Sequence, residues 1–188
     1  MVVAEQLSAM ALELITGPAR CGKSRWAEQR VARCAGCVHY LATGPLLPDD
    51  PDWQERLRLH RLRRPADWIC EDVGLALPAA LDRLAAGDTA LVDSLGTWVS
   101  AGLDLDGPDW LRHTERLLCS LRRCPGKVLL VSEQVGWGVV PPTAIGGLFR
   151  DRLGSLEDRI TPHCQHVWLV VAGRALDLLP ITDPVPPE

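Results

Sequence analysis

The segment Gly17-Pro18-Ala19-Arg20-Cys21-Gly22-Lys23-Ser24 constrains this chain more than any other, because of what stands on either side of it. Residues 12–16 precede it as a short apolar run of strand type, ending at Gly17-Pro18. Residues 24–33 follow with a helical pattern that sets Trp26, Ala27 and Val31 on one side and charges on the other. The pattern G-x-x-x-x-G-K-[ST] between a strand and a helix reads as a phosphate-binding loop. Its glycines let backbone N–H groups close around phosphate oxygens, its lysine neutralises the β and γ phosphates, and its serine hydroxyl holds Mg²⁺. The helix that opens near Gly22 adds the positive end of its dipole. All eight residues, Gly17, Pro18, Ala19, Arg20, Cys21, Gly22, Lys23 and Ser24, are therefore expected at a nucleotide, with Lys23 acting in catalysis.

The rest of the chain keeps the same rhythm. Strands are predicted over residues 38–42, 89–92, 128–132 and 167–171, and helices over 52–63, 73–86, 108–122 and 145–160, with Gly87 as the expected stop of the third helix. Short apolar strands alternating with longer helices predict an α/β fold whose mostly parallel sheet is covered on both faces. With 188 residues, 47% of them hydrophobic, residues 1–188 fit a single domain with loose ends at about 1–10 and 183–188. A net charge of −4 argues against a general nucleic-acid or membrane-surface binder. The first ten residues lack the basic cluster of a secretory leader, and no run approaches membrane-spanning length, so the expected location is the cytoplasm.

Two further places carry chemistry. Asp93 ends the buried-type strand at 89–92, where phosphate-binding-loop enzymes set the second carboxylate associated with Mg²⁺; the same residue also reads as a cap for a helix over 95–99. Residues 56–64 hold five arginines, Arg56, Arg58, Arg61, Arg63 and Arg64, around His60. At helical spacing Arg56, Arg63 and Arg64 fall beside the imidazole, an arrangement suited to phosphates. Neutral imidazole is a competent nucleophile near neutral pH. Taken alone, the stretch reads more readily as a solvated basic face with an incidental histidine. The seven cysteines, odd in number and scattered, read as reduced thiols. Cys34-x-x-Cys37 with His39 would need a second ligand pair, for which only His163-Cys164-Gln165-His166 offers itself, and no zinc is expected.

Taken in order, these segments resemble the adenosylcobinamide kinase / adenosylcobinamide-phosphate guanylyltransferase family. The resemblance runs from Leu14 to about Leu179. It rests on Gly17 to Ser24, Tyr40-Leu41-Ala42-Thr43, His60 to Trp68, Leu91 to Val99, Val135 to Pro141 with its Gly-Trp-Gly-Val-Val-Pro stretch, and Phe149 to Gly154. It implies a RecA-like fold, commonly a homotrimer, and two reactions on one protein. A nucleoside triphosphate phosphorylates adenosylcobinamide; GTP then gives GMP to a histidine, which passes it to the new phosphate. GTP and ATP are the implied substrates and Mg²⁺ the cofactor. The guanylylated histidine falls on His60. The nucleotide contacts fall on the loop, on Ala42, Thr43 and Gly44, on Arg61, Leu62, Arg63 and Arg64, and on the acids Asp72 and Asp93. Departures from the family pattern stand at Asp72, where glutamate is expected, at Glu133-Gln134 in place of Asn-Glu, and at Ala101 and Glu157 in place of asparagines. Two other readings fit a phosphate-binding loop: a kinase without guanylyl transfer, and an NTP-switched module that binds nucleic acid or a partner. The acidic net charge counts against the second.

Overall fold

The computed structural model describes residues 11–45, 49–62 and 64–186, giving only the backbone course of Trp53, Gln54, Arg56, His60 and Arg61. Among the described residues the strands are β1 (Leu12–Thr16), β2 (Val38–Ala42), β3 (Ile69–Asp72), β4 (Thr89–Asp93), β5 (Lys127–Val131), β6 (His166–Val171) and β7 (Arg174–Asp177). The helices are α1 (Lys23–Val31), α2 (Pro51–Leu62), α3 (Leu77–Leu81), α4 (Leu95–Ala101), α5 (Gly107–Arg123) and α6 (Ala144–Ile160). The strands form one sheet in the order β3-β2-β4-β5-β1-β6-β7, parallel throughout except for the β6–β7 pair. This is the α/β architecture that the alternating pattern implied.

The strands read as continuous apolar runs because both faces are covered. Successive residues alternate sides, so Leu12 and Leu14 of β1 join the larger core with Trp98, Leu117, Leu121, Leu153 and Leu156, while Ile15 joins Ala27, Val31, Leu91 and Leu129 beneath α1. Full burial of each such leucine contributes about 1.5–3 kcal/mol. Helix α1 crosses β5 and β4 on its way from β1 to β2. That crossover delivers the N-terminus of α1 to the carboxyl edge of the sheet.

Three sequence expectations need correction. The helix predicted over 73–86 is a 3-10 turn at Gly74–Ala76 followed by the short α3, with the chain turning again before β4. Pro78 is the physical reason: it has no N–H and is tolerated only in a first helical turn, so the helix starts at Leu77. Gly87, expected to cap that helix, instead takes φ +95° in the turn just before β4. Strands β3 and β7 were not anticipated. β3 is short, polar and mostly exposed on the outer side of β2, and β7 folds back through a tight hairpin at Ala172 (φ +49°) and Gly173 (φ +72°). An alanine at a left-handed turn position carries little of the usual hairpin signature.

One charged cluster sits inside this frame. Glu13, 2% exposed in mid-β1, accepts hydrogen bonds from Arg30 (2.7 Å) and Trp168 (2.9 Å) and pairs with Lys127 (2.8 Å). Burial pushes its carboxyl up, but the bonds from Arg30, Lys127 and Trp168 outweigh it and bring the pKa down to about 2 from an ordinary 4.5. A pKa lowered on folding contributes stability that is complete above the unfolded value and is lost as pH falls toward the folded one, here between about 4.5 and 2. Glu13→Gln is expected to lower stability by about 3 kcal/mol at pH 7, with the gap to wild type narrowing as pH falls from 4.5 toward 3. Urea unfolding at several pH values measures it; a gap that stays constant with pH would contradict the assignment.

Candidate functional site

The sheet register sets Asp72 beside Ala42, Ala42 beside Asp93, Asp93 beside Val131, and Val131 beside Ile15. The carboxyl ends of β3, β2, β4, β5 and β1 thus form one rim, and the loop from Gly17 to Ser24 rises from its β1 end. Open α/β sheets bind ligands outside this rim.

The loop holds its shape for local reasons. Gly17 takes φ +154°, and a Cβ there would lie 2.2 Å from the Val170 carbonyl oxygen, so no side chain fits. Gly22, at φ +100°, precedes the first turn of α1, and Arg20 also has positive φ, at +59°. The backbone N–H of Gln134 donates to the Gly17 oxygen (2.9 Å), bracing the loop against the end of β5. Lys23 is buried, and its Nζ donates to the Pro18 oxygen (3.0 Å), which folds the ammonium over the loop. Pro18 and Cys21 are half-buried, while Ala19 and Arg20 are exposed.

Asp93 joins this loop to the neighbouring strand. Its Oδ1 lies 3.4 Å from Ser24 Oγ, and its Oδ2 accepts a 2.6 Å bond from the Tyr40 hydroxyl. Burial, then the charge of Asp93, holds the Tyr40 phenol well above its ordinary range, so the hydroxyl stays protonated and keeps donating. The Arg64 guanidinium lies over the Tyr40 ring, 3.3 Å from its centroid. A chain of contacts therefore runs Ser24–Asp93–Tyr40–Arg64, linking residues far apart in sequence. Ser24 and Asp93 present two hard oxygen donors side by side, a pair suited to Mg²⁺.

Asp93 is not the cap of α4. That role belongs to Ser94, whose Oγ accepts from Thr97 N at 3.3 Å. Thr43 locks Ser94 in turn: its hydroxyl accepts from Ser94 N (2.9 Å) and donates to Ser94 O. Gly44 follows on the same rim. Asp72 ends the outer strand and is exposed, and Leu62 is exposed at the end of α2. Arg63 lies outside the described residues, as do the side chains of His60 and Arg61, so α2 shows only the backbone positions from which these groups extend.

Glu133, Gln134 and Glu157 stand at departures from the family pattern, and the fold gathers them beside the loop. Glu133 stands two residues past the end of β5, on the same rim where Asp93 ends β4. Its Oε2 accepts from Gly96 N (3.0 Å) at the start of α4. Burial pushes its carboxyl up, against the opposing pull of Ser94 and Lys23. Glu157, also pushed up by burial, accepts from Thr16 Oγ1 (2.9 Å) and from Gln134 Nε2 (3.0 Å). Together with Val135, Gly136, Arg150 and Asp151 these side chains line a cleft of about 340 Å³ beside the loop. Arg152 of the same segment turns inward instead. It is buried, donating to the carbonyls of Gly102 (2.8 Å) and Leu105 (2.7 Å) behind the C-terminus of α4, a structural use of a cation. Ala101, the remaining departure, is exposed.

The cysteine pairing weighed from sequence does not assemble. Cys34-x-x-Cys37 leads into β2 and His163–His166 into β6, four places apart in the sheet, or roughly 19 Å at the usual strand spacing. All seven cysteines are free.

Comparison with known proteins adds an independent line. The RadB recombinase superposes with a TM-score of 0.47 at 16% identity, over 86% of this chain and 74% of that one. The bifunctional adenosylcobalamin biosynthesis protein CobP of Pseudomonas aeruginosa is 39% identical over 168 residues, which is 88% of this chain and 96% of the relative. The CobU proteins of Salmonella typhimurium and Escherichia coli are 34% and 31% identical over 175 residues, each alignment covering 85% of this chain and 95% of the relative. The model of the cobinamide kinase / cobinamide phosphate guanyltransferase family matches residues 13–178, a span that takes in the loop, the carboxylate rim and the cleft. With the match covering nearly every element of the fold, the chain belongs to the cobinamide kinase / cobinamide phosphate guanyltransferase family.

Proposed function

We propose that this single nucleotide-binding domain carries out both reactions of its family in turn, phosphorylating adenosylcobinamide and then converting the product to adenosylcobinamide-GDP. The observation that carries the reading is the grouping of Lys23, Ser24 and Asp93 at the carboxyl edge of β1 and β4, on a family match that spans the fold. In this reading residues 17–24 wrap the triphosphate of ATP or GTP. Lys23 neutralises charge developing on the transferred phosphoryl group. Ser24 and Asp93 would hold Mg²⁺, which when bound offsets phosphate charge; zinc has no part in either transfer. Ala42, Thr43, Gly44 and Asp72 contact the nucleotide along the rim, and Arg61, Leu62, Arg63 and Arg64 do so from the end of α2.

In the first reaction the acceptor hydroxyl loses its proton, an O–P bond forms to the γ phosphate, and nucleoside diphosphate leaves. In the second, His60 nitrogen forms a bond to the α phosphate of GTP as pyrophosphate leaves. The cobinamide phosphate oxygen then displaces the imidazole. The cleft lined by Glu133 and Glu157 suits the acceptor, because Gln134 in the same lining is tied through its backbone N–H to Gly17 of the loop. A cytoplasmic location accords with seven free thiols. The reading is tested by supplying adenosylcobinamide, ATP and GTP and resolving the products: sequential appearance of the phosphate and the GDP ester supports it, and failure to phosphorylate adenosylcobinamide overturns it.

Assembly as a homotrimer is part of this proposal. Its support on the surface is an exposed apolar stretch, Trp137, Val139, Val140 and Ile145, in and after the loop that leaves β5. Sedimentation equilibrium at micromolar concentration is expected to give three times the chain mass. A monomer would overturn the proposed assembly.

A further inference from the structure

At the amino edge of the sheet, the end away from the phosphate-binding loop, three potential ligand atoms converge. Cys37 Sγ, His39 and Asp88 each offer one atom, and the three atoms lie within 4.8 Å of one another. Cys37 and His39 are two apart along an extended segment, so their side chains leave the same face. Asp88 is brought to them by the register that pairs Val38 with Thr89, with Thr89 N donating to Cys37 O (2.8 Å). A close backbone approach makes this possible. Gly36 stands at φ +91°, where a Cβ would lie 2.2 Å from the Gly87 carbonyl oxygen, and only glycine lets the two loops touch there. The three groups therefore ride on paired strands and adjoining tight turns.

The surroundings are those of a ligand set. His39 Nε2 faces Asp88 Oδ2 at 3.5 Å, while Nδ1 faces Glu71 Oε1 at 3.6 Å. A metal-bound imidazole typically has a carboxylate behind its other nitrogen, fixing the ring and raising its basicity. That carboxylate is itself held, since Glu71 Oε2 accepts from Arg83 Nη2 at 2.6 Å. Asp88 is steadied by Ala85 N, which donates to its Oδ2 at 2.8 Å. At 3.6 Å the Nδ1–Glu71 contact is an ion-pair separation and not a hydrogen bond, and the buried Nδ1 has no other hydrogen-bond partner. A salt bridge alone would account for His39 between two carboxylates, but it gives Cys37 no role.

We propose that Cys37 Sγ, His39 Nε2 and Asp88 Oδ2 bind one zinc-class divalent cation, with Glu71 orienting His39, as a tie between the start of β2 and the turn before β4. The mixed sulfur, nitrogen and oxygen set suits zinc, whereas Mg²⁺ prefers oxygens alone. Bonds of roughly 2.0–2.3 Å would set the ligand atoms about 3.3–3.6 Å apart, so from a separation of up to 4.8 Å the site closes by at most about 1.5 Å. Cys37 binds as thiolate, its proton passing to solvent, and its exposure leaves the fourth position to water.

The test uses the full chain stripped with a chelator and titrated with Co²⁺ and then Zn²⁺. The expected result is one metal per chain, a thiolate-to-cobalt absorption band in the near ultraviolet, displacement of cobalt by zinc, and a melting midpoint that rises with zinc. Cys37→Ser, at an exposed position that leaves the fold intact, is expected to lose the band and the zinc-dependent rise. Cys34→Ser is expected to keep both. Glu71→Gln should keep the band but bind about 10–100-fold more weakly. Absence of metal binding at micromolar Zn²⁺ would overturn the proposal. So would binding that survives Cys37→Ser, because the metal would then sit on another thiol.

Discussion

Lys23→Ala is expected to remove phosphoryl transfer and guanylyl transfer together, each by about 10²–10³-fold or more. Loss of one preorganised donor to a developing phosphate charge typically costs that much. The lysine is also poorly replaceable in this fold. It is buried at the first turn of α1, with its ammonium folded over the loop onto the Pro18 oxygen. Because the core contacts of α1 come from Ala27 and Val31, the substitution should leave the melting temperature within a few degrees of wild type. Initial rates with ATP and adenosylcobinamide, and with GTP and the cobinamide phosphate, measure the two losses separately. Should guanylyl transfer persist while phosphorylation fails, GTP binds at a site other than residues 17–24.

His60→Asn is expected to divide the two activities. Guanylyl transfer should fall below detection, because asparagine can hydrogen-bond but cannot form the phosphorus–nitrogen bond. Phosphorylation of adenosylcobinamide should stay within a few-fold of wild type, since that reaction passes directly from nucleotide to acceptor hydroxyl. Asparagine is only a moderate helix former, but one substitution near the end of α2 costs well under 1 kcal/mol in helix propensity. A variant that loses both activities while melting normally would place His60 in nucleotide binding.

Much of this architecture could be read from residue patterns, and the failures have physical causes. The core strands β1, β4 and β5 were legible because they are covered on both faces, which leaves an unbroken apolar run. Edge strand β3 was not: Ile69-Cys70-Glu71-Asp72 is polar because it is exposed, and only its pairing with β2 makes it a strand. Pro78 was legible in principle as a first-turn residue but was read as lying inside a longer helix. At the rim, Lys23, Ser24 and Asp93 were nameable from local motifs. The link from Asp93 through Tyr40 to Arg64 depends on strand order, which no local spacing reveals. Likewise Glu133, Gln134 and Glu157 looked like scattered departures. Only the packing of α6 against the end of β1 shows that Gln134 and Glu157 bond to each other and to Thr16.

Guanylyl transfer as proposed turns on one covalent intermediate, and one measurement reaches it directly. Incubated with GTP labelled at the α phosphate, in the absence of cobinamide phosphate, the chain is expected to take up label in a bond that survives base and is lost in acid, as a phosphoramidate does. Peptide mapping is expected to put that label on His60, and addition of cobinamide phosphate should discharge it into adenosylcobinamide-GDP. Label on any other residue, label that persists when cobinamide phosphate is added, or turnover to adenosylcobinamide-GDP with no labelled protein at any time would contradict it.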